Sequence, residues 1–170
     1  VEFFFPYELD TERVLAALER NDLALTLFNL PLGDWDAGER GFVAQAGREQ
    51  EFRDGVAEAV LHVRALRPEL VNTPSGPAED TPESFARLVA NVRHAAGELA
   101  AAGTRMVVEP INRHDVPGAL ISTVARAVQL LDEVGSENLA IQYDLYHSLR
   151  AGEDPDAVIA EHLPRIGHIQ

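Results

Sequence analysis

The chain contains no lysine and no cysteine. Without lysine it has neither a Schiff-base amine nor the cation of a phosphate-binding loop. Without cysteine it has no thiol nucleophile, no disulfide framework and no thiolate zinc site. Basic residues of any kind are scarce: 14, all arginine, stand against 28 acids, for a net charge of −14. That balance disfavours extended contact with a phosphate backbone, so nucleic acid is not an expected partner. Long apolar runs are missing too. Nothing approaches the ~18 residues of a spanning helix and no signal-peptide pattern opens the chain, so the reading is no membrane contact and a cytoplasmic location. An initiating methionine is also lacking, and both ends read as strands. The expectation is therefore an interior piece of a longer chain, with residues 1–170 forming a single, incomplete domain.

What is present is a repeated alternation. At 46% apolar over 170 residues, one core of ordinary size can be buried. Val1 to Phe5 reads as a strand ended by Pro6, and Asp10 caps a helix over Thr11 to Arg20 with Val14, Leu15 and Leu18 as its stripe. Leu23 to Leu30 is the next strand, followed by a glycine-punctuated loop from Gly33 to Gly41 that carries the one tryptophan. Phe52, Val56, Val60 and Val63 set a helix over about Arg48 to Leu66, and Glu69 to Thr73 a strand. Thr81 with Pro82 starts a helix that Gly103 ends. Then come a strand ending on Glu109, a helix over about Thr123 to Val134, a strand ending on Asp144, a helix near Asp156 to His162 and a strand ending on Gln170. Strands alternating with helices in this order require parallel pairing through right-handed crossovers. A doubly wound sheet and a (β/α)8 TIM barrel both fit. The barrel is favoured because polar strand ends recur on consecutive strands and no Gly-x-Gly-x-x-Gly turn is present.

Those strand ends are the candidate site. Met106-Val107-Val108-Glu109-Pro110 is an apolar strand that ends on a carboxylate and is stopped by proline; Ala140 to Asp144 and Arg165 to Gln170 repeat the arrangement. A lone acid at a strand end is ordinarily solvated or paired, but three oxygen donors in succession point to one shared site, and oxygen donors select hard cations such as Mg2+ or Mn2+. His147 follows Asp144 by three residues, and His168 shares strand parity with Gln170, one layer deeper, in a supporting position. His62, His94 and His162 lie on helices, where packing or solvation suffices, and His114 shares the loop after Glu109. Arg40 offers a planar two-pronged donor for a substrate carboxylate, its competing role being a surface salt bridge. Trp35 either shields the site from solvent or packs its loop down.

Several motifs together resemble the hydroxypyruvate isomerase family of the xylose-isomerase-like barrel superfamily. They are Phe28-Asn29-Leu30-Pro31 with Gly33-Asp34-Trp35 and Gly38-Glu39-Arg40-Gly41, then Glu109-Pro110-Ile111-Asn112, Gln142-Tyr143-Asp144 with Tyr146-His147, and Ile166-Gly167-His168 with Gln170. The resemblance implies that Glu109 is both a catalytic residue and a metal ligand and that Asp144 and Gln170 are further ligands; Arg40, His147, Asn112 and Trp35 are candidate substrate contacts. It also implies that the chain matches strands two to seven of eight, with the second catalytic glutamate outside it and this stretch alone inactive. The implied reaction is a metal-dependent proton transfer between adjacent carbons, through an ene-diolate, that interconverts hydroxypyruvate and tartronate semialdehyde. The implied cofactor is Mg2+ or Mn2+ and the implied partner a small hydroxy-carbonyl acid, with homo-oligomerisation left open. The alternatives are a 2-oxotetronate isomerase or ketose epimerase on the same barrel, a metal-dependent nuclease, or an inactive barrel fragment. The chain departs from the family pattern at Arg113-His114, at Thr73-Pro74-Ser75 and at Ser148-Leu149, which bears on substrate identity more than on reaction type.

Overall fold

A computed structural model describes all 170 residues. The strands are β1 (Leu27–Asn29), β2 (Leu70–Asn72), β3 (Arg105–Val108), β4 (Leu139–Tyr143) and β5 (Ile166–Ile169). They form one parallel sheet in the order β1-β2-β3-β4-β5. Each strand lies beside its predecessor in the chain, with no reversal anywhere. A doubly wound sheet must reverse at a switch point and a barrel must not, so the topology is that of a (β/α) barrel.

The connecting helices are α1 (Thr11–Arg20), α2 (Glu49–Leu66), α3 (Pro82–Ala102), α4 (Val124–Val134), α5 (Leu145–Arg150) and α6 (Pro155–His162), followed by a 3₁₀ turn over Leu163–Arg165. Their starts follow from capping chemistry. Asp10, Thr81 and Thr123 each accept a hydrogen bond from the backbone N–H three residues on, at 3.1, 3.2 and 3.3 Å. No helix is long and apolar enough to cross a membrane.

One expectation is corrected. Val1 to Phe5 is not a strand: only Glu2 forms a parallel bridge, to Leu27, while Phe4 and Phe5 turn aside to pack on Trp35 at 5.5 Å between ring centroids. The segment after Asp144, to which the sequence assigns no element, is the short helix α5 with Asp144 as its cap. The observed strands are also shorter than the apolar runs that announced them, because a residue joins the ladder only where a neighbour pairs with it.

The alternation of strand side chains divides the interior in two. Phe28, Val71, Met106, Val108 and Ile141 join the buried faces of α2, α3 and α4 in the main core. Leu27, Leu70, Val107 and Ala140 pack only with one another, as a small apolar plug on the opposite face of the sheet. Two residues further along that face the chain turns polar: Asn29, Asn72, Glu109 and Gln142 follow the four plug residues in order. The plug is thus the floor, and the polar residues stand on it.

The loop bearing Trp35 and Arg40 is fixed against this frame. Arg48 pairs with Glu39 and Glu51, and Asp34 N–H donates to Glu39 at 2.7 Å. Gly41 and Gly76 bring two loop backbones into direct contact, both at positive φ (109° and 69°), and a Cβ on Gly76 would land on the Gly41 carbonyl. Gly76→Ala is therefore expected to cost at least about 1–2 kcal/mol and to raise KM for an anionic substrate by displacing Arg40. Urea denaturation and steady-state kinetics check both effects.

Candidate active site

Glu109 emerges from the end of β3 and is buried, with its residue 8% exposed. Asn72 at the end of β2 donates to its Oε2 at 2.8 Å and also to Oδ1 of Asn29, at the end of β1, at 2.9 Å. One carboxylate oxygen is thereby held, and Oε1 faces His147 Nε2 at 3.7 Å. Burial is the main force on the Glu109 carboxyl. Together with the nearby charges of Asp144 and Glu2 it outweighs the Asn72 hydrogen bond and pushes the pKa up to about 7.

Asp144 caps α5, its Oδ1 accepting from the N–H of Tyr146 at 2.7 Å and of His147 at 3.4 Å. Its Oδ2 lies 3.8 Å from His147 Nε2. One ligand atom each from Glu109, Asp144 and His147 falls within 4.8 Å of the others. Gln170 lines the same cavity. Its amide oxygen accepts from Gln142 Nε2 at 2.9 Å and its amide nitrogen donates to Glu2 at 2.8 Å.

The cavity holds about 490 Å³ and is walled by Glu2, Glu109, Asp144, His147 and Gln170, with Trp35 and Arg40 also on its lining. Arg40 lies over the Trp35 ring at 3.7 Å and donates to the backbone carbonyls of Trp35 and Glu39 at 3.1 and 2.7 Å. It is thus built into its loop with its cation at the cavity, and the expected alternative, a salt bridge to a surface acid, is not formed. His168 does not line the cavity; its Nε2 meets Glu2 at 2.7 Å. Asn112, expected to touch substrate, is buried at 1% exposure and absent from the cavity lining. Its polar atoms are spent on Asp115, His147 and two backbone N–H groups.

The sequence reading missed Asn29, Asn72, Asp115 and Glu2. Asn29 and Asn72 close Leu-Phe-Asn and Leu-Val-Asn strands, so the strand-end logic that singled out Glu109 also applies to them. Asp115 is held below the usual carboxylate range by hydrogen bonds first from Asn112 and then from Tyr146.

A site of this kind at the carboxyl ends of parallel strands is where barrels of this topology place their chemistry. A family model for the xylose isomerase-like TIM barrel matches residues 1–170, and the chain belongs to that family. Within it, the chain groups with isomerase enzymes, the hydroxypyruvate isomerases among them. It is 43% identical over 175 aligned residues to the hydroxypyruvate isomerase of Escherichia coli K12, covering 100% of this chain and 67% of that one. It is 36% identical over 173 residues to the 2-oxo-tetronate isomerase of Cupriavidus necator, covering 100% and 66%. The crystal structure of a family 2 AP endonuclease from Brucella melitensis superposes with a TM-score of 0.95 at 38% identity, covering 100% of this chain and 67% of that one. The chain therefore spans about two thirds of the length of each of these relatives.

Proposed function

We propose that this protein is a divalent-metal-dependent isomerase that moves a proton between adjacent carbons of a small hydroxy-carbonyl acid, with hydroxypyruvate and 2-hydroxy-3-oxopropanoate as the substrate pair. The observation that carries the proposal is Glu109: a buried carboxyl on the wall of a small cavity, with ligand atoms of Asp144 and His147 within 4.8 Å. A carboxylate fixed in that position can move a proton at carbon.

The residues present fit a hard cation. Glu109 and Asp144 supply two carboxylates, Glu2 and Asp115 add two further acids to the cavity, and Gln170 offers an amide oxygen, while Arg40 is the one guanidinium on the lining. The unbalanced negative charge is what a divalent ion would neutralise. Glu109, Asp144 and Gln170 would hold Mg2+ or Mn2+, and the ion would supply Lewis acidity for the proton transfer. Glu109 removes or returns the proton at one carbon. Arg40, preorganised by its stack on Trp35, takes the substrate carboxylate, and Trp35 with its neighbours limits water access.

The test is turnover of hydroxypyruvate by a chain that spans the full length of the isomerase relatives, with and without chelator and with Mn2+ restored. Asp144→Asn provides a sharper version. The amide oxygen still caps α5, so the fold is kept, while loss of the charge weakens Mn2+ binding at least about tenfold. Equal Mn2+ affinity in the two proteins removes Asp144 from the ligand set. A 2-oxo-tetronate substrate is the second reading, supported by the 36% identical relative, and substrate profiling separates the two. The acidic cavity and the net charge of −14 argue against a nucleic-acid substrate. Retention on a DNA column would reverse that conclusion.

A further inference from the structure

His147 stands between two roles, third metal ligand or hydrogen-bond donor, and the choice depends on which ring nitrogen carries the proton. Its Nε2 faces Glu109 Oε1 at 3.7 Å and Asp144 Oδ2 at 3.8 Å, while its Nδ1 meets Asn112 Nδ2 at 2.7 Å. An amide nitrogen only donates. Nδ1 must then accept, and a neutral imidazole that accepts at Nδ1 carries its hydrogen at Nε2.

The amide cannot turn round without loss. Asn112 Oδ1 accepts the backbone N–H groups of His114 and Asp115, both at 3.0 Å, and Nδ2 spends its other hydrogen on Asp115 Oδ2 at 2.9 Å. Flipping the amide would set a donor against two backbone donors and leave Asp115 facing an oxygen. Three hydrogen bonds would be lost to reverse one. Asp115 Oδ2 is 3.9 Å from Nδ1, too far to take a proton there by a hydrogen bond.

We propose that Asn112 is a positioning residue that locks His147 in its Nε2–H form, so that His147 presents a donor to the cavity and is withheld from the metal. The nitrogen facing the two carboxylates has no lone pair to give a cation. Three clustered side chains therefore split into two ligands and one proton-bearing group aimed at a substrate oxygen. The proposal rests on the metal-isomerase reading for its consequence, though the tautomer follows from the hydrogen bonds alone.

Long-range 1H–15N NMR of the metal-free protein labelled at histidine nitrogen reads the tautomer directly, with His147→Gln identifying the signals. The expected pattern is a pyridine-type Nδ1 and a pyrrole-type Nε2, and the reverse pattern overturns the proposal. Asn112→Asp keeps an acceptor for the two backbone N–H groups but removes the donor to the ring, and it is expected to move the proton to Nδ1. An unmoved signature shows that Asn112 does not set the tautomer. Mn2+ titration separates the two levels of inference: His147→Gln is expected to leave affinity unchanged, and a loss of about tenfold or more makes His147 a ligand and overturns its assignment as donor. If the wild-type protein binds no Mn2+, the metal reading fails while the NMR result still decides the role of Asn112.

Discussion

Glu109→Gln, made in a chain that spans the full length of the isomerase relatives, is expected to lower turnover of hydroxypyruvate by about 10²–10⁴-fold, the range for loss of a positioned acid–base group. The fold is expected to survive, because a glutamine carbonyl can accept the Asn72 hydrogen bond that Oε2 now accepts at 2.8 Å. The β3 residues beneath it keep their places in the core and the plug. Steady-state kinetics with an unfolding curve checks both halves. Unchanged turnover would remove Glu109 from the chemistry, and a collapsed unfolding transition would make its role structural.

The same substitution has a second, opposite effect on stability. The carboxyl is raised from its ordinary 4.5 to about 7 in the folded protein, so between those values the folded state holds a proton that the unfolded chain has released. Stability of the metal-free protein must then fall as pH rises through this window and level off above it. The shift corresponds to about 3 kcal/mol. Its cause is chiefly desolvation of the charged form, with Asp144 and Glu2 adding to it. Glu109→Gln lacks the titrating group and is expected to be the more stable protein above neutral pH, by roughly that amount. Urea denaturation of both proteins from pH 4 to 8 measures the difference, and parallel pH profiles for the two would show that Glu109 titrates normally. Divalent-ion binding at neutral pH is expected to displace the Glu109 proton, which calorimetry in buffers of different ionisation heat detects. The carboxyl that suits catalysis thus opposes folding until a cation joins it.

Much of this arrangement is legible in the sequence, for physical reasons. Asp10, Thr81 and Thr123 announce their helices because a side-chain acceptor one residue before an amphipathic run satisfies an otherwise free N–H. Glu109 and Asp144 are visible because a carboxylate that ends an apolar run must be held at the rim of a core. The six-residue helix α5 is too short for a periodic pattern, and its cap doubles as a strand-end acid, so the two meanings of Asp144 overlap. Glu2 looks like part of a hydrophobic strand. Only the curvature of the sheet brings it to His168 and Gln170, 166 and 168 residues away. The work of Asn112 is likewise invisible in one dimension, since it depends on a ring 35 residues further on.

The abutting backbones at Gly41 and Gly76 have an implication for how this scaffold can be retuned. A rim welded at that seam has no hinge there, so the loop bearing Arg40 admits no larger guest by swinging outward. Broadening the repertoire towards longer-chain acids would have to proceed by trimming side chains such as Leu32 or Ile111, both on the cavity lining, in place of lengthening the loop.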